Sequence, residues 1–140
     1  MSVEISELDD GLGCLIKVDG EMNSEVFFSA ILARLSLPTE EYSKYIYFIL
    51  DYSSLVIPDL NLSTINNIAQ QSIAISESNS DVVVAITASD DMIFGIANIW
   101  KMLTNDCGWE ISIYRSRKEA DKWLHRVMDN KYDLTTLTYE

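Results

Sequence analysis

Apolar positions along this chain follow two periods, the two-residue alternation of strands and the 3.6-residue spacing of helices. Short runs rich in β-forming residues predict five strands, and longer amphipathic segments predict four helices. The predicted strands span residues 3–8, 12–18, 45–50, 81–86 and 109–114. The apolar stripes of the predicted helices run over residues 27–35, 62–73, 92–103 and 120–128. The predicted order of elements is therefore ββαβαβαβα.

Turn and capping residues mark the boundaries between these elements. Asp9-Asp10-Gly11 is a hairpin turn signal between the first two strands. Either Asn23 or Ser24 is placed to cap the first helix, and Asp59 to cap the second. The segment Ser116–Glu119 has the form of a capping box, which predicts the start of the last helix.

The arrangement of elements predicts an α/β fold. The apolar runs at 45–50 and 81–86 suit strands that are buried on both faces. Alternation of the later strands with helices implies right-handed crossovers and parallel pairing, while the opening hairpin adds an antiparallel strand. We therefore predict one domain over residues 1–140, with a single mixed five-stranded sheet and four helices packed on it. Residues 130–140 form an ambiguous C-terminal tail.

Composition limits the classes of partner. The net charge of -12 repels phosphate backbones, so we do not expect a nucleic-acid partner. Six of the ten basic residues fall between residues 115 and 131, an asymmetry that favours a partner of opposite pattern, including a second copy. No apolar stretch reaches the ~18 residues of a membrane span. The acidic N-terminus lacks the features of a signal peptide, so we expect a cytoplasmic protein.

No recognisable catalytic motif is present in the sequence. The five glycines do not fall at the spacings of nucleotide-binding loops. His125 is the only histidine and has no companions for a metal site, and Cys14 and Cys107 are expected to be reduced thiols. We therefore expect no metal, no cofactor and no enzymatic activity.

Polar residues follow three of the predicted parallel strands. Asp51, Ser53, Ser89, Asp90 and Arg115 fall where strands end. Ligand crevices of open α/β sheets form at that edge, so these residues predict a pocket. Ordinary polar capping of loop ends is the alternative interpretation.

The third predicted helix has more apolar surface than one sheet contact requires. Two neighbouring apolar stripes run along it, flanked by further apolar residues. The candidate contact residues are Met92, Phe94, Ile96, Ile99, Trp100 and Leu103. A protein partner, a second copy, an apolar ligand or the chain's own neighbouring elements would have to cover this surface.

The element order and lengths resemble the STAS fold of anti-sigma-factor antagonists, closest to the small bacterial STAS/SEC14-like proteins. The resemblance covers roughly residues 3–128. It is carried by residues 18–22 and 48–53, by the strand at 82–84, and by Glu119, Ala120, Trp123 and Leu124 of the last helix. It implies the fold of a small regulatory protein.

The resemblance also implies a phosphorylation site, whose serine the matching segment of this sequence lacks. STAS antagonists carry an Asp-Ser-Ser/Thr-Gly step before the second helix, and its serine is a kinase target. The matching segment here is Asp59-Leu60-Asn61-Leu62, which keeps the acid and lacks the serine. Ser63 and Thr64 follow, either as a displaced phosphosite or as ordinary polar residues at a helix start.

An enzyme that uses Asp51 or Asp90 would need a cleft that holds a carboxylate with a strongly raised pKa. Two non-enzymatic hypotheses stand beside it. The first is a non-enzymatic regulatory module that works through protein contacts, as a homodimer. The second is a small binding protein that holds an apolar or lipid-like ligand between helix and sheet.

Overall fold

The structure is a computed structural model that describes residues 2–35, 44–77 and 81–132, with only the backbone of residues 28, 31–35 and 132. The strands are β1 (Ser2–Leu8), β2 (Gly13–Glu21), β3 (Tyr47–Tyr52), β4 (Leu55–Val56), β5 (Val83–Ala88) and β6 (Glu110–Tyr114). The helices are α1 (Ser24–Leu35), α2 (Leu62–Ser76), α3 (Asp91–Leu103) and α4 (Arg117–Tyr132). Short 3-10 turns lie at Asp9–Gly11 and Asn105–Cys107. Helix α4 therefore continues into the predicted tail, whose remainder lies outside the described residues.

The main strands form one mixed sheet in the order β1-β2-β3-β5-β6. Strand β1 pairs antiparallel with β2, and every later pairing is parallel. One row of paired residues crosses the sheet from Leu15 through Ile49 and Ala85 to Ser112. The predicted α/β fold, with a hairpin and parallel strands, is confirmed.

The hairpin turn has the geometry that its residues favour. Asp9 and Asp10 have φ of 52° and 57°, and Gly11 has φ of 89°. Aspartate and glycine are among the residues that adopt this left-handed region most readily. The turn therefore fixes the register in which Leu8 pairs with Gly13.

A short strand lies where the sequence predicted only a loop. Strand β4 pairs in parallel with Gly20 and Glu21 at the end of β2. The backbone N–H of Gly20 donates to the Ser54 carbonyl at 2.9 Å. A two-residue strand has no periodicity to detect. It still matters, because it fixes the loop that leads into α2 and holds Leu55 buried.

The predicted cap of α2 was wrong. Asn61 is the N-cap, and its Oδ1 accepts from the backbone N–H of Thr64 at 3.0 Å. Asp59 instead accepts from the backbone N–H of Ser24, at the start of α1, at 2.7 Å. The carboxylate thus links two helices, because the chain turns back towards α1 before α2 begins. Of the two predicted caps of α1, Asn23 is the one that the structure confirms. Its Oδ1 accepts from the backbone N–H of Val26.

The two faces of the sheet carry separate cores. In β3, Phe48 and Leu50 face helices α1, α2 and α3, whereas Tyr47 and Ile49 face α4. This alternation is the two-residue period of a strand buried on both sides. Within the described ranges, no helix is long and apolar enough to cross a bilayer.

Candidate functional site

An apolar cavity of about 140 Å³ lies between the sheet and the three helices on its first face. Its floor includes Leu50, Val84 and Ile86 from adjacent strands. Ile68 of α2 and Ala97 of α3 contribute to the walls. Protein interiors are close-packed, so an apolar space of this size needs a physical cause.

The position of α2 accounts for this space. Helix α2 packs against its neighbours α1 and α3, and its backbone makes fewer close approaches to the sheet than α3 or α4 does. Large side chains such as Ile65, Ile68 and Trp100 bridge the interval without filling it. The cavity therefore results from helix placement and not from small residues in the strands.

Few polar groups border the cavity. The Ser72 hydroxyl donates to the Ile68 carbonyl at 2.9 Å and accepts from the Trp100 indole N–H at 3.2 Å. Tyr52 packs edge-on against the Phe27 ring, with centroids 5.9 Å apart. Burial raises the pKa of Tyr52 above its usual range, so its hydroxyl stays protonated.

The predicted contact residues of α3 divide into covered and exposed groups. Trp100 is buried, and Phe94, Ile96 and Ile99 are half-buried against the same core. Met92 and Leu103 remain 47% and 40% exposed. The chain's own elements thus cover much of the apolar surface that the sequence analysis expected to need another cover.

Met102, which the candidate set omitted, is the most exposed large apolar residue of the helix at 75%. Gly95 is exposed, and a Cβ there would meet nothing within 4 Å. Met92, Met102 and Leu103 are therefore the large apolar residues that the described part of α3 leaves exposed.

The predicted strand-end residues do not form one pocket. Asp51 is buried on the α4 side of the sheet, where it accepts from the backbone N–H and the hydroxyl of Ser53 at 3.1 and 2.6 Å. Its other oxygen accepts from Arg117 Nη1 at 3.3 Å. These contacts turn Asp51 inwards, where it ties the strand end to α4.

The other predicted strand-end residues form a separate surface group. Arg115 donates to the Ser89 carbonyl at 3.0 Å and to Asp91 at 2.7 Å, and its guanidinium lies 4.0 Å from the centroid of the Phe94 ring. Asp90 caps α3 by accepting from the N–H groups of its first turn. For Ser89, Asp90 and Arg115 these capping and bracing contacts agree with the alternative interpretation of polar loop ends.

Sequence reasoning missed the partners of Asp51. Arg117 Nε donates to Asp121 at 2.8 Å, so a single guanidinium bridges two carboxylates. Desolvation raises the pKa of Asp121, opposed by Arg117 and reinforced by Asp51. The signal that could have found Asp121 is its i,i+4 spacing from Arg117 on one helix.

Two buried polar atoms in this region lack partners. They are the Thr87 hydroxyl and Arg117 Nη2, and neither makes a hydrogen bond within the described part of the chain. Thr87 is the residue that pairs with Asp51 in the strand register. Ordered water commonly satisfies such groups. We define Asp51, Thr87, Arg117 and Asp121 as the strand-end polar cluster.

The candidate phosphosite residues differ in accessibility. The Thr64 hydroxyl lies 3.0 Å from the Ser24 hydroxyl and donates to Asn61 Oδ1 at 3.2 Å. Ser63 is exposed one position earlier. Thr64 therefore belongs to the network that joins α1 to α2, and of the pair only Ser63 is oriented towards solvent.

Metal chemistry receives no support from the part of the chain that the structure describes. Among residues 2–35, 44–77 and 81–132, no group of three or more histidine, cysteine or acidic side chains could hold a metal ion. His125 pairs instead with Asp129 at 3.1 Å.

No protein-family model matches the chain, and no curated protein matches it. Among solved structures, the chain is similar to an uncharacterized protein from the DUF3478 family with a SpoIIAA-like fold, from Shewanella loihica PV-4. The match covers 88% of this chain and 92% of that chain, at 16% identity and a TM-score of 0.46. That description names a fold and states no activity.

Proposed function

We propose that this protein is a non-enzymatic binding module whose ligand is a small apolar molecule held between the sheet and helices α1–α3. The observation that carries the proposal is the cavity of about 140 Å³ with an apolar lining. An apolar cavity of about 150 Å³ stays dry and accepts a molecule of benzene's size. The ligand would therefore be a single ring or a short alkyl segment.

The cost of an empty cavity supports this proposal. Side chains that border a void lose van der Waals contacts, and the loss destabilises a core. A ligand that fills the void restores those contacts and stabilises the folded state by mass action. The lining combines aliphatic residues such as Ile68 and Ile86 with the aromatic Phe27 and Trp100, a typical composition for a binding pocket.

The test is a titration with ethylbenzene, followed by two-dimensional amide NMR of the full chain. We expect saturable shifts at α2, α3 and the facing strands. The substitution Ala97→Leu places additional carbons in the cavity, because Ala97 is buried and borders it. It should weaken binding by about tenfold or more, the loss expected when ligand and side chain compete for one space.

Ala74→Leu is the matched control. Ala97 lies on α3, and Ala74 lies on α2, a second helix that borders the cavity. Unlike Ala97, Ala74 is exposed. The same atoms are thus added on the solvent side, and binding should stay at the wild-type value. A wild-type protein that shows no saturable shift, or equal binding by both variants, would contradict the proposal.

Self-association remains a second candidate, favoured by the exposed apolar residues of α3. Met92, Met102 and Leu103 present apolar side chains to solvent. Methionine suits adaptable protein contacts. Light scattering at micromolar concentration tests it: we expect a dimer that Leu103→Glu dissociates, and a strict monomer would exclude it.

A further inference from the structure

The lining of the cavity restricts the charge of its ligand. None of the residues that border it carries a formal charge at neutral pH. Moving a carboxylate or an ammonium group into such surroundings without a counterion is very costly. A ligand held there is therefore uncharged in its buried part.

Two of the polar side chains in the lining are already engaged. Trp100 uses its N–H to reach Ser72, and the Ser72 hydroxyl uses its proton to reach Ile68. A ligand gains no donor from either without breaking a bond inside the protein. Towards a ligand, Ser72 and Trp100 therefore offer only apolar contacts.

Tyr52 differs from these two residues. It is only 8% exposed and lines the cavity, yet among the described residues no hydrogen-bond partner is found for its hydroxyl. A phenol hydroxyl without a partner inside the protein is available to donate to a ligand. Burial also raises the pKa of this group, so it offers a proton at any physiological pH.

We propose that the ligand is a small neutral molecule with one hydrogen-bond-accepting oxygen, as in a ketone, an aldehyde or an ester, and that this oxygen accepts from the Tyr52 hydroxyl. This inference rests on the proposed function, since it specifies the ligand of the same cavity. The apolar lining supplies affinity through burial, and the single phenol supplies selection between a hydrocarbon and its oxygenated analogue.

The experiment compares two ligands and two proteins. Ethylbenzene and acetophenone share a carbon skeleton and differ by one carbonyl oxygen. Dissociation constants are measured by calorimetry for the wild type and for Tyr52→Phe, which removes only the hydroxyl. We expect Tyr52→Phe to raise the dissociation constant of acetophenone by roughly 3- to 10-fold, the range that one hydrogen bond supplies. The dissociation constant of ethylbenzene should stay within about twofold of its wild-type value.

A spectroscopic measurement separates the hydrogen bond from indirect effects on affinity. The carbonyl stretch of bound, carbon-13-labelled acetophenone should lie at lower frequency in the wild type than in Tyr52→Phe. Benzoate, which has a similar size and a negative charge, should bind neither protein.

Each result has a distinct meaning. If the wild type binds neither ethylbenzene nor acetophenone, the cavity is not a binding site and the proposed function itself fails. If both bind but Tyr52→Phe changes them equally, or the carbonyl stretch is the same in both proteins, the role of Tyr52 is overturned while the binding module stands. Tight binding of benzoate would likewise overturn the restriction to neutral ligands.

Discussion

In the strand-end polar cluster, Arg117 donates to two carboxylates, those of Asp51 and Asp121, which differ in how deeply they are buried. Asp51 is almost fully buried and also accepts two bonds from Ser53, whereas the Asp121 side chain is 21% exposed. Breaking one partner of such an arrangement leaves the other charge buried, which is where most of the cost lies. The cluster thus joins β3 to α4 by interactions that depend on protonation.

The raised pKa of Asp121 makes a prediction about stability against pH. A carboxyl group with a higher pKa in the folded state binds more protons when folded, so its stabilising contribution is present at low pH. That contribution is lost as pH rises above the ordinary value of 3.8 and through the folded-state pKa. We expect the free energy of unfolding of Asp121→Asn, taken relative to that of the wild type, to rise as the pH increases from about 3 to about 6, measured by urea unfolding.

Glu7 supplies a control of opposite sign. Lys44 and Tyr45 donate to its carboxylate and lower its pKa, so its contribution is present above its unfolded-state pKa and is lost as pH falls. The free energy of unfolding of Glu7→Gln, relative to that of the wild type, should therefore fall as the pH rises over the same interval. Parallel pH profiles for the two variants would show that Asp121 is not desolvated in the way described.

Local sequence signals determine elements well when they involve neighbours in the chain. The hairpin turn at 9–11 and the Asn23 cap of α1 could be predicted because their partners lie within a few residues. In the predicted capping box, the Ser116 hydroxyl accepts from the Glu119 N–H, but the Glu119 carboxylate accepts from that hydroxyl instead of from the backbone N–H. Asp59 was misassigned because its partner lies 35 residues away, beyond any local pattern.

Two glycines show how context decides the effect of the same substitution. Gly13 pairs with Tyr47 in the sheet, and a Cβ at Gly13 would overlap the buried Tyr47 ring. Gly95 lies inside α3 with open space around it. We expect Gly13→Ala to destabilise the protein by about 1–3 kcal/mol through overpacking. Gly95→Ala should stabilise it by about 0.5–1 kcal/mol, because alanine loses less backbone entropy in a helix.

Urea unfolding of both variants measures these changes in the free energy of unfolding. Because the two substitutions are chemically identical, the difference in sign reports only on the positions. A Gly13→Ala variant as stable as the wild type would mean that the Tyr47 ring can move away from β2.

The whole molecule has unequal cores on the two faces of its sheet. Alternation along the strands predicts which residues face each side, as Ile49 and Leu50 show. Periodicity carries no information on how far a helix stands from the sheet, so the cavity beneath α2 could not be predicted. The surplus of apolar residues on α3 did indicate this region, because Ile96, Ala97 and Trp100 border the cavity.

This asymmetry predicts unequal local stability across the molecule. Helix α4 places fully buried Ala120, Leu124 and Met128 on its face of the sheet, whereas α2 and α3 border the apolar cavity. Segments with incomplete packing open locally at lower free energy than the rest of the fold. Acetophenone at about ten times its dissociation constant should slow amide hydrogen exchange in α2 and α3 by up to about tenfold, since binding suppresses the openings that release the ligand.

Helix α4 is the internal control. Its amides that exchange by local opening should keep their rates, because those openings leave the bound ligand in place. Equal slowing in α2, α3 and α4 would mean that the two faces of the sheet unfold together.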